Sequence, residues 1–489
     1  MSARFLAFDL GAESGRAILG RLEAGVLALR DVYRFPNEPV RNNGALQWDI
    51  LRLWHEMKKG LDLVSDISLA SVGVDTWGCD YALLGETGNL IENPFHYRDT
   101  RTDNIQEEVF RHVPAERIYG VTGIQFLPFN SLFQLYAAKR STPRLLDAAS
   151  AFATIPDLFN YWLTGRLCSE FTNATTTQMV DAQTRRWSTE LLDELALPSR
   201  LFQPIVEPGA VIGGIRHDVS ASLADTPVVA PACHDTGSAF AAVWTDGHGA
   251  FLSSGTWSLL GAEVAAPVIS AKARELNFTN EGGVCGTTRL LKNIGGLWLL
   301  QACVRRWAEA GQQFSYDDLL TAARDDQHAF RSLFDPDHSG FFHPTDMPSA
   351  IAAYCRQTGQ AEPSGQPAFT RSILESLAFK YRAVLESLEE LTGHRYTTIR
   401  IVGGGSRNRL LNQFTADATG RTVLAGPVEA TALGNIAMQM LATGTVSSLA
   451  EARQIIERSF PLERFEPVAS DRWSQHYRRF QQYVTVMGV

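Results

Sequence analysis

The sequence predicts an α/β protein in which two similar domains each carry a mixed sheet flanked by helices. Three observations predict this fold class. Apolar strand patterns alternate with amphipathic helix patterns, which is typical of α/β architecture. Short strands joined by Gly-containing turns predict antiparallel pairs, so the sheets are mixed and not purely parallel. The same strand–turn–strand pattern returns about half a chain later, which predicts two related domains.

Two predicted hairpins mark the starts of these domains. The first turns at Asp9-Leu10-Gly11-Ala12-Glu13-Ser14-Gly15-Arg16, between apolar strand patterns. The second turns at Ser253-Ser254-Gly255-Thr256, again between apolar strands. We therefore divide the chain into an N-terminal domain, 1–244, and a C-terminal domain, 245–489.

The remaining elements follow from apolar spacing. Apolar residues at Ile50, Leu53, Met57 and Leu61 recur at helical spacing, for example. The predicted helices are 48–63, 237–242, 369–391, 408–418 and 429–441. The predicted strands are 71–77, 81–84, 227–230, 399–402 and 422–424. The stretch 358–366, rich in Gly, Pro, Ser and Gln, is predicted to be a surface loop.

Composition excludes several classes of protein. The 489-residue chain is 45% apolar and 20% charged, as in an ordinary globular enzyme, and its net charge is −9. An acidic chain without a basic cluster argues against binding to nucleic acid or to a membrane surface. The sequence shows neither a signal peptide nor an apolar run of about 18 residues, so we expect a cytoplasmic protein. The six cysteines have no C-x2-C spacing, which predicts reduced thiols and no zinc site.

The first turn has the chemistry of a phosphate loop. Backbone N–H groups in a tight turn form an anion nest, and Gly11 and Gly15 allow the backbone to approach phosphate oxygens. Ser14 adds a hydroxyl and Arg16 a positive charge, while Asp9 at the strand end is suited to hold Mg²⁺ through water. An ordinary β-hairpin remains the alternative for this turn alone.

Two further glycine-rich segments extend this pattern. The second hairpin turn repeats the first, so the pair predicts a clamp around the β- and γ-phosphates. Gly403-Gly404-Gly405 follows a strand and precedes a helix, where bare backbone could lie against a nucleobase or ribose. The sequence contains no P-loop and no G-x-G-x-x-G, which argues against Walker and Rossmann enzymes. A flexible turn remains the alternative for the triple glycine.

The segment Cys233-His234-Asp235-Thr236 follows a predicted strand and opens a helix of small residues. The helix dipole would stabilise the carboxylate of Asp235 there. From spacing alone, a helix N-cap is the better interpretation of Asp235. In 75–80, two carboxylates surround a Trp and Gly78, which fits either a sugar-binding wall or a plain strand end. Asn293 stands ahead of a predicted helix, where it is either a sugar contact or an N-cap.

Taken together, these motifs resemble the FGGY carbohydrate kinases, of the sugar kinase, actin and heat-shock chaperone ATPase superfamily. The resemblance is carried by "GVDTWGCDY", "TGIQFLPFNSLFQL", "EFTNATTTQMVD", "ACHDTGSA", "LSSGTWSLLG", "TNEGG", "LKNIGGLWLLQ" and "IVGGGSRNRLLNQFTADATG". It implies two actin-like (ribonuclease H-like) domains with the active-site cleft between them.

The resemblance also implies an activity and a set of site residues. It implies transfer of the ATP γ-phosphate to O1 of L-rhamnulose with Mg²⁺, by a monomer or homodimer. Asp235 would be the general base, and Asp9 would sit near Mg²⁺. The implied sugar contacts are Gly78, His234, Asp235, Thr236 and Asn293. The implied nucleotide contacts are Ala12, Glu13, Ser14, Gly15, Arg16, Thr256, Gln301, Gly403, Gly404 and Gly405.

One residue departs from the family pattern, and two alternatives stay open. Glu13 places a carboxylate where the family tends to have a small hydroxyl residue, so we expect it to point outward or to orient Arg16. One alternative is a family member acting on xylulose, L-fuculose, gluconate or glycerol. The other is an actin-like ATPase without kinase activity, which would need no base facing a sugar hydroxyl.

Overall fold

The computed structural model describes residues 2–243, 247–327, 329–342 and 344–487. The predicted domain boundary between 244 and 245 lies outside the described residues. Among the described residues, no helix is both long enough and apolar enough to cross a membrane. All six cysteines are free thiols.

Strands and helices alternate along the chain, as the apolar spacing predicts. The strands are β1 (Ala3–Leu10), β2 (Ser14–Glu23), β3 (Val26–Pro36), β4 (Pro39–Asn42), β5 (Ala45–Trp48), β6 (Ser71–Thr76), β7 (Tyr81–Leu84), β8 (Ala151–Thr154), β9 (Ser169–Glu170), β10 (Val180–Asp181), β11 (Arg186–Trp187), β12 (Ile205–Val206), β13 (Ala210–Gly214), β14 (Pro227–Ala230), β15 (Gly249–Ser254), β16 (Trp257–Val264), β17 (Thr279–Gly282), β18 (Thr288–Gly295), β19 (Thr398–Val402), β20 (Thr422–Ala425) and β21 (Glu463–Phe465).

The helices are α1 (Ile50–Asp62), α2 (Ile105–His112), α3 (Ala115–Thr122), α4 (Ser131–Ser141), α5 (Pro143–Ala148), α6 (Ile155–Thr164), α7 (Phe171–Thr176), α8 (Thr189–Glu194), α9 (Asp235–Ala241), α10 (Ala271–Glu275), α11 (Trp298–Glu309), α12 (Tyr316–Asp325), α13 (Met347–Gln357), α14 (Gly365–Thr392), α15 (Arg409–Thr419), α16 (Ala430–Ala442), α17 (Leu449–Ser459) and α18 (Ser470–Met487). Every predicted helix and strand is present, with ends shifted by a few residues. The predicted loop 358–366 joins α13 to α14, and its last two residues already belong to α14.

The chain forms two compact units, and each contains more than one chain segment. Unit 1 consists of 1–244, 263–290 and 430–460. Unit 2 consists of 245–262, 291–429 and 461–489. The chain passes from one unit to the other within β16 and within β18.

The sheet of unit 1 has the strand order β13-β14-β6-β1-β2-β3. β1 runs antiparallel to β2 and parallel to β6, so the predicted mixed sheet is confirmed. In this register Asp9 lies opposite Arg16 on one side and Asp75 on the other. Buried Phe8 and Val74 pack with Met57 of α1 beneath the sheet. The register therefore brings three charged side chains to one end of a rigid sheet.

Helix α16 completes unit 1 from late in the chain. Gln439 Nε2 donates to the Leu6 carbonyl oxygen at 3.0 Å, and Gln439 Oε1 accepts from Ser71 Oγ at 2.8 Å. A Cβ on Gly73 would lie 2.4 Å from Asn435 Oδ1, so only glycine allows the helix this close to β6. The approach places Asn435 within reach of the strand ends.

The sheet of unit 2 includes, in order, β18, β16, β15, β19, β20 and β21. β15 pairs antiparallel with β16 and parallel with β19, which repeats the arrangement at the start of unit 1. Tyr381 of the 28-residue helix α14 lies 2.7 Å from Ser258 Oγ through its hydroxyl, which ties the helix to β16. The second predicted hairpin is thereby confirmed.

Candidate active site

The turn between β1 and β2 is closed by its own backbone and by one side chain from further along. The Gly11 N–H donates to the Ser14 carbonyl at 2.9 Å. Asn37 Nδ2 donates to the Gly11 carbonyl at 2.8 Å, and the Asn37 N–H donates to the Glu13 carbonyl at 3.0 Å. A Cβ on Gly15 would lie 2.2 Å from the Phe35 ring, so this position requires glycine. The Gly11 amide is thus used inside the turn, and sequence reasoning missed Asn37.

Asp9 and Arg16 form an ion pair across the hairpin. Both side chains are largely buried. Arg16 therefore balances the charge of Asp9 in addition to any charge brought by a ligand. Glu13 is exposed at the tip of the turn, which agrees with the outward orientation predicted for it. Ala12 and Ser14 are half-buried beside it.

Asp75 stands beside Asp9 with its carboxylate fully buried. Asn435 Nδ2 donates to Asp75 Oδ2 at 2.6 Å, while Oδ1 has no hydrogen-bond partner among the described residues. Burial, and then the charge of Asp9, raise the pKa of Asp75 well above its usual value. Its surroundings therefore favour the protonated form, and Asn435, brought from α16, was invisible to sequence reasoning.

Asp235 is the first residue of α9, just beyond β14. Oδ1 accepts from the Thr236 N–H at 2.5 Å and from Thr236 Oγ1 at 3.1 Å, and the side chain is 31% exposed. His234 and not Asp235 occupies the N-cap position, so the N-cap interpretation of Asp235 is wrong. Burial raises the pKa of Asp235, the charge of Asp9 adds to this, and His234 and Thr236 oppose it.

The loop before Asp235 is positioned by a buried glutamate. Glu170 Oε2 accepts from the Cys233 N–H at 3.1 Å and from Thr172 Oγ1 at 2.7 Å. Thr172 Oγ1 in turn accepts from the His234 N–H at 3.2 Å. Burial raises the pKa of Glu170 to about 7. Sequence reasoning assigned no role to Glu170 or Thr172, although a Glu capping the start of α7 was a readable signal.

His234 links Asp235 to two charged side chains inside unit 1. Its Nε2 lies 3.3 Å from Asp235 Oδ1. Its Nδ1 lies 3.2 Å from Glu281 Oε2 and 3.2 Å from Arg289 Nη2. Neither Glu281 nor Arg289 was singled out by sequence reasoning, because β17 and β18 carry them to the site from far along the chain.

Gly78 lies in close contact with α7, and the side chain of Asp80 accepts hydrogen bonds from buried side chains. A Cβ on Gly78 would lie 3.0 Å from Thr176 Oγ1. Asp80 is buried and accepts from Trp48 Nε1 at 2.6 Å, Trp77 Nε1 at 3.0 Å and Gln134 Nε2 at 2.8 Å. The interpretation of this segment as a wall of sugar acceptors is therefore wrong for Asp80, whose oxygens are already occupied by indole and amide donors.

In unit 2 the second turn is packed against the start of α11. The Gly255 carbonyl accepts from the Leu297 N–H at 2.9 Å, and the Thr256 carbonyl accepts from the Trp298 N–H at 3.1 Å. A Cβ on Gly296 would lie 2.7 Å from the Thr256 carbonyl oxygen. Half-buried Thr256 is thus held by backbone contacts on a rigid helix start.

The triple glycine lies on the same turn of unit 2. A Cβ on Gly405 would lie 2.0 Å from Ser254 Oγ, and one on Gly403 would lie 2.9 Å from the Ser254 carbonyl oxygen. Gly403 also has a positive φ of 79°. Gly404 is exposed and would meet nothing within 4 Å. Gly404 therefore offers bare backbone to a ligand while its neighbours fix the loop.

The two other predicted residues of unit 2, Asn293 and Gln301, flank the start of α11, which packs against the second turn, and they differ in setting. Gln301 is on the first turns of α11, and its Oε1 is buried without a partner among the described residues. Asn293 lies within β18, before α11 begins at Trp298. The N-cap interpretation of Asn293 is therefore wrong, because the strand continues past it to Gly295.

The predicted residues thus gather in two groups, one in each unit. In unit 1 the sheet end assembles the first turn, Asp9, Asp75 and Asp235 with His234 and Thr236. In unit 2 the second turn assembles Thr256 with the triple glycine. No group of three acidic, His or Cys side chains among the described residues is arranged to hold a metal ion directly. Asp9 nevertheless offers the carboxylate oxygen that Mg²⁺ prefers, and Mg²⁺ usually keeps several waters and binds substrate phosphates.

Two family models match the chain. The N-terminal domain of the FGGY family of carbohydrate kinases matches residues 4–242, and the C-terminal domain matches residues 250–443. Together they span most of the sequence.

Curated relatives match over nearly the whole length. The chain is 46% identical to a rhamnulokinase of Bacteroides thetaiotaomicron, over 99% of this chain and 100% of the relative. It is 42% identical to a rhamnulokinase of Oceanobacillus iheyensis, over 95% and 99%. It is also 42% identical to a rhamnulokinase of Pectobacterium atrosepticum, over 97% and 95%.

Solved structures with the same fold share little sequence with this chain. A gluconate kinase from Lactobacillus acidophilus superposes with a TM-score of 0.81 at 17% identity, covering 99% of this chain and 97% of its own. A ligand-bound xylulose kinase from the same organism gives 0.81 at 16% identity, covering 100% and 99%. At these identities the likeness establishes the fold alone.

Proposed function

The chain belongs to the FGGY family of carbohydrate kinases, and on that premise we propose that it phosphorylates L-rhamnulose at O1 with ATP, giving L-rhamnulose 1-phosphate and ADP. The proposal is supported by rhamnulokinases that match nearly the whole chain at 39–46% identity. The observation that carries the chemistry is the partly exposed carboxylate of Asp235 at the start of α9, whose described contacts all involve one oxygen.

Asp235 acts as the general base in this proposal. Its described contacts go to Oδ1, so Oδ2 is available for the O1 hydroxyl of the sugar. The carboxylate takes the hydroxyl proton as the oxygen attacks the γ-phosphorus, a contribution worth about 10²–10⁴-fold in rate. Gly78, His234, Thr236 and Asn293 are proposed to contact the sugar.

The nucleotide is proposed to be held by backbone rather than by long side chains. The first turn, Ala12 to Arg16, offers amides, the Ser14 hydroxyl and one guanidinium to phosphate oxygens. Thr256, Gln301 and the triple glycine Gly403, Gly404 and Gly405 hold the rest of the nucleotide, with exposed Gly404 leaving room for it. The buried, unpartnered Gln301 Oε1 supports this assignment, since such an oxygen calls for a donor.

Asp9 is proposed to hold Mg²⁺ through water. Its carboxylate sits at the mouth of the first turn, and the Asp235 carboxylate, which interacts electrostatically with Asp9, adds negative charge there. Mg²⁺ would neutralise phosphate charge during transfer, which is largely a matter of positioning and electrostatics. In this proposal residues 1–244 supply the sugar-binding domain, the first phosphate turn and the base. Residues 245–489 supply the second phosphate turn and the adenosine contacts.

A coupled assay over a panel of ketoses tests this function. With ATP and Mg²⁺, ADP release should be fastest for L-rhamnulose and at least tenfold slower in kcat/KM for L-fuculose, D-xylulose and glycerol. Such a margin is within what a few polar contacts can supply, since 1.4 kcal/mol is a factor of ten. Equal turnover of another substrate would reject the assignment of L-rhamnulose but not the assignment of sugar-kinase activity.

A further inference from the structure

Three buried side chains continue inward from Asp235 within unit 1. His234 is 10% exposed, Glu281 6% and Arg289 1%. Arg289 Nη2 lies 3.1 Å from Glu281 Oε2 and 3.2 Å from His234 Nδ1. His234 Nε2 then faces Asp235 Oδ1 at 3.3 Å. Glu281 Oε2 also lies 3.2 Å from His234 Nδ1, so Glu281 and Arg289 contact each other and both contact the His234 ring, which in turn contacts the proposed base.

Contacts other than the one with His234 hold the Arg289 side chain in place. Its Nε donates to the Gly282 carbonyl at 2.8 Å, and its guanidinium stands 5.8 Å from the centre of the Phe240 ring. The Gly282 N–H donates to Thr175 Oγ1 at 2.8 Å, which anchors β17 to α7. A guanidinium held on this scaffold presents its donors in one direction.

The position of Arg289 selects the tautomer of His234. Arginine has donors only, and a neutral imidazole has one N–H and one lone pair. In the neutral ring, a proton on Nδ1 would face the acceptor Glu281 Oε2, but it would also set an N–H against the Arg289 guanidinium and turn the Nε2 lone pair towards the Asp235 carboxylate. A proton on Nε2 satisfies two of these three neighbours, because Nδ1 accepts from Arg289 and Nε2–H donates to Asp235.

We propose that Arg289, with Glu281 as its counter-charge, is a positioning residue that holds His234 as the Nε2–H tautomer, so that His234 donates to Asp235 Oδ1 and leaves Oδ2 for the sugar hydroxyl. This inference rests on the proposed role of Asp235 as the base. In this proposal Glu281 and Arg289 help to set the proton affinity of Asp235, although neither residue touches it.

Several charged or titratable groups face Asp235 and bear on its proton affinity. Asp9 raises it from the end of β1, and Asp75, Cys79 and Arg289 interact with it electrostatically. His234 lowers it, and His234 is itself faced by Glu281 and Arg289 at Nδ1. Because the acid limb of kcat/KM reports the base of the free enzyme, a change at Arg289 becomes visible in the pH profile.

The test is the pH profile of kcat/KM for L-rhamnulose in three variants. Arg289→Met removes the donor to Nδ1, so the acid limb should move to higher pH by about one pH unit, with about tenfold lower activity below it. Arg289→Lys keeps a cationic donor and should leave the limb near that of the wild type. Glu281→Gln removes a negative charge and keeps the donor, so the limb should move to lower pH.

A matched control separates this role from structural support. Glu375→Gln disrupts another buried pair, in which Arg371 Nε lies 2.7 Å from Glu375 Oε1 in unit 2, and should not move the limb. If Arg289 and Glu281 only supported the fold, their variants would lower kcat or the melting temperature with an unmoved limb. That result, or movement of both limbs in one direction, overturns the proposal.

The same data distinguish this inference from the proposed function. If Arg289→Met does not fold, Glu281→Gln alone decides, since structural support by Glu281 would leave the acid limb unmoved. Failure of the wild type to phosphorylate L-rhamnulose would reject the function. A wild type that does so, with unmoved limbs in both variants, would reject only the role of Glu281 and Arg289.

Discussion

The two hairpin turns have the same backbone plan and different surroundings. The turn of unit 1, between Leu10 and Ser14, is bordered by ionisable groups, with Asp9 paired to Arg16 and Asp75 alongside. The turn of unit 2, after Ser254, is bordered by glycines and backbone carbonyls, with Gly405 pressed against it. The turns themselves do not show this contrast, because the bordering groups come from neighbouring strands, loops and helices.

The difference suggests a division of labour between the two turns. Carboxylates in a poorly solvated setting can take up or hold protons and cations, so the first turn suits the reacting end of the nucleotide. Close-packed glycine backbone has no charge to offer but leaves room for a flat ligand, so the second turn suits binding. Substitutions of the residues that border the turns should therefore lower kcat in unit 1 and weaken nucleotide binding in unit 2.

The largest expected effect is at Asp235 in unit 1. Asp235→Asn keeps the shape and removes the base, so kcat should fall by about 10²–10⁴-fold while nucleotide binding is retained. Coupled kinase assays and titration calorimetry with ADP would measure the two quantities. Asp225→Asn, at an exposed aspartate of the same unit, is the matched control. Turnover that survives the Asp235→Asn substitution would remove Asp235 from the base role.

The next largest effect is expected at the glycines of unit 2. A methyl group on Gly405 meets Ser254 Oγ at 2.0 Å and the Ser254 carbonyl at 2.8 Å, and the carbonyl cannot turn aside. Gly405→Ala should lower the free energy of unfolding by about 1–3 kcal/mol and raise KM for ATP about tenfold. Denaturant unfolding and initial rates give both values.

Gly404→Ala sharpens this comparison. Its methyl group meets nothing within 4 Å, so the free energy of unfolding should stay within about 0.5 kcal/mol of the wild type. A raised KM for ATP in this stable variant would report a clash with the nucleotide itself. Equal destabilisation by both alanines would contradict the packing described for the loop.

A smaller effect is expected at Asp75, and it depends on pH. Because the pKa of Asp75 is raised in the folded chain, folding retains a proton that the unfolded chain releases above about pH 4. The stabilisation that this proton gives the folded chain is complete below about pH 4, and it is lost as the pH rises towards the pKa of Asp75 in the folded chain. Asp75→Asn carries no charge at any pH, so it should be more stable than the wild type at pH 8, by about 1–3 kcal/mol.

The same variant should lose most of that advantage at pH 5. Thermal unfolding at the two pH values, with Asp225→Asn alongside, would measure the difference. An advantage of equal size at both pH values would show that the ionisation of Asp75 is not the cause.

The smallest expected effect is at Glu13, on the tip of the first turn. Because its side chain is exposed, its repulsion of phosphate is screened, and Glu13→Gln should lower KM for ATP by about twofold at low salt. The gain should shrink at about 0.15 M salt. Glu23→Gln, exposed at the far end of β2, should not change KM. A tenfold change at Glu13 would mean that it faces the nucleotide.

The sequence predicted what local chemistry determines. Gly-containing turns between apolar strands identified both hairpins. The position of Asp9 beside Asp75 was not predicted, because it depends on the pairing of β1 with β6. The segment around Asp235 lies between a strand and a helix as predicted, although the capping interpretation was wrong. The confirmed elements are those whose apolar spacing is unambiguous.

The rest depended on contacts between residues far apart in the chain. Asn37, Glu170, Glu281, Arg289 and Asn435 reach the site from five different elements or loops, and their contacts there join segments far apart in the chain. The N-cap alternative for Asn293 was wrong, although Asn ahead of Gly-Gly and an apolar run is typical of a helix start. Pairing of β18 in the sheet extends the strand past that point, and no short window shows such pairing.

Helix α16 gives the chain a particular order of assembly. The groups it meets, the Leu6 carbonyl and Ser71 Oγ, belong to the earliest strands, yet Gln439 leaves the ribosome more than 360 residues later. Unit 1 therefore has a high contact order, and its sheet lacks this helix until residues 430–442 have been synthesised. A nascent chain stopped before Ala430 would expose the apolar face that α16 covers. Folding of unit 1 is thus completed only after α16 has left the ribosome, long after the strands that it contacts.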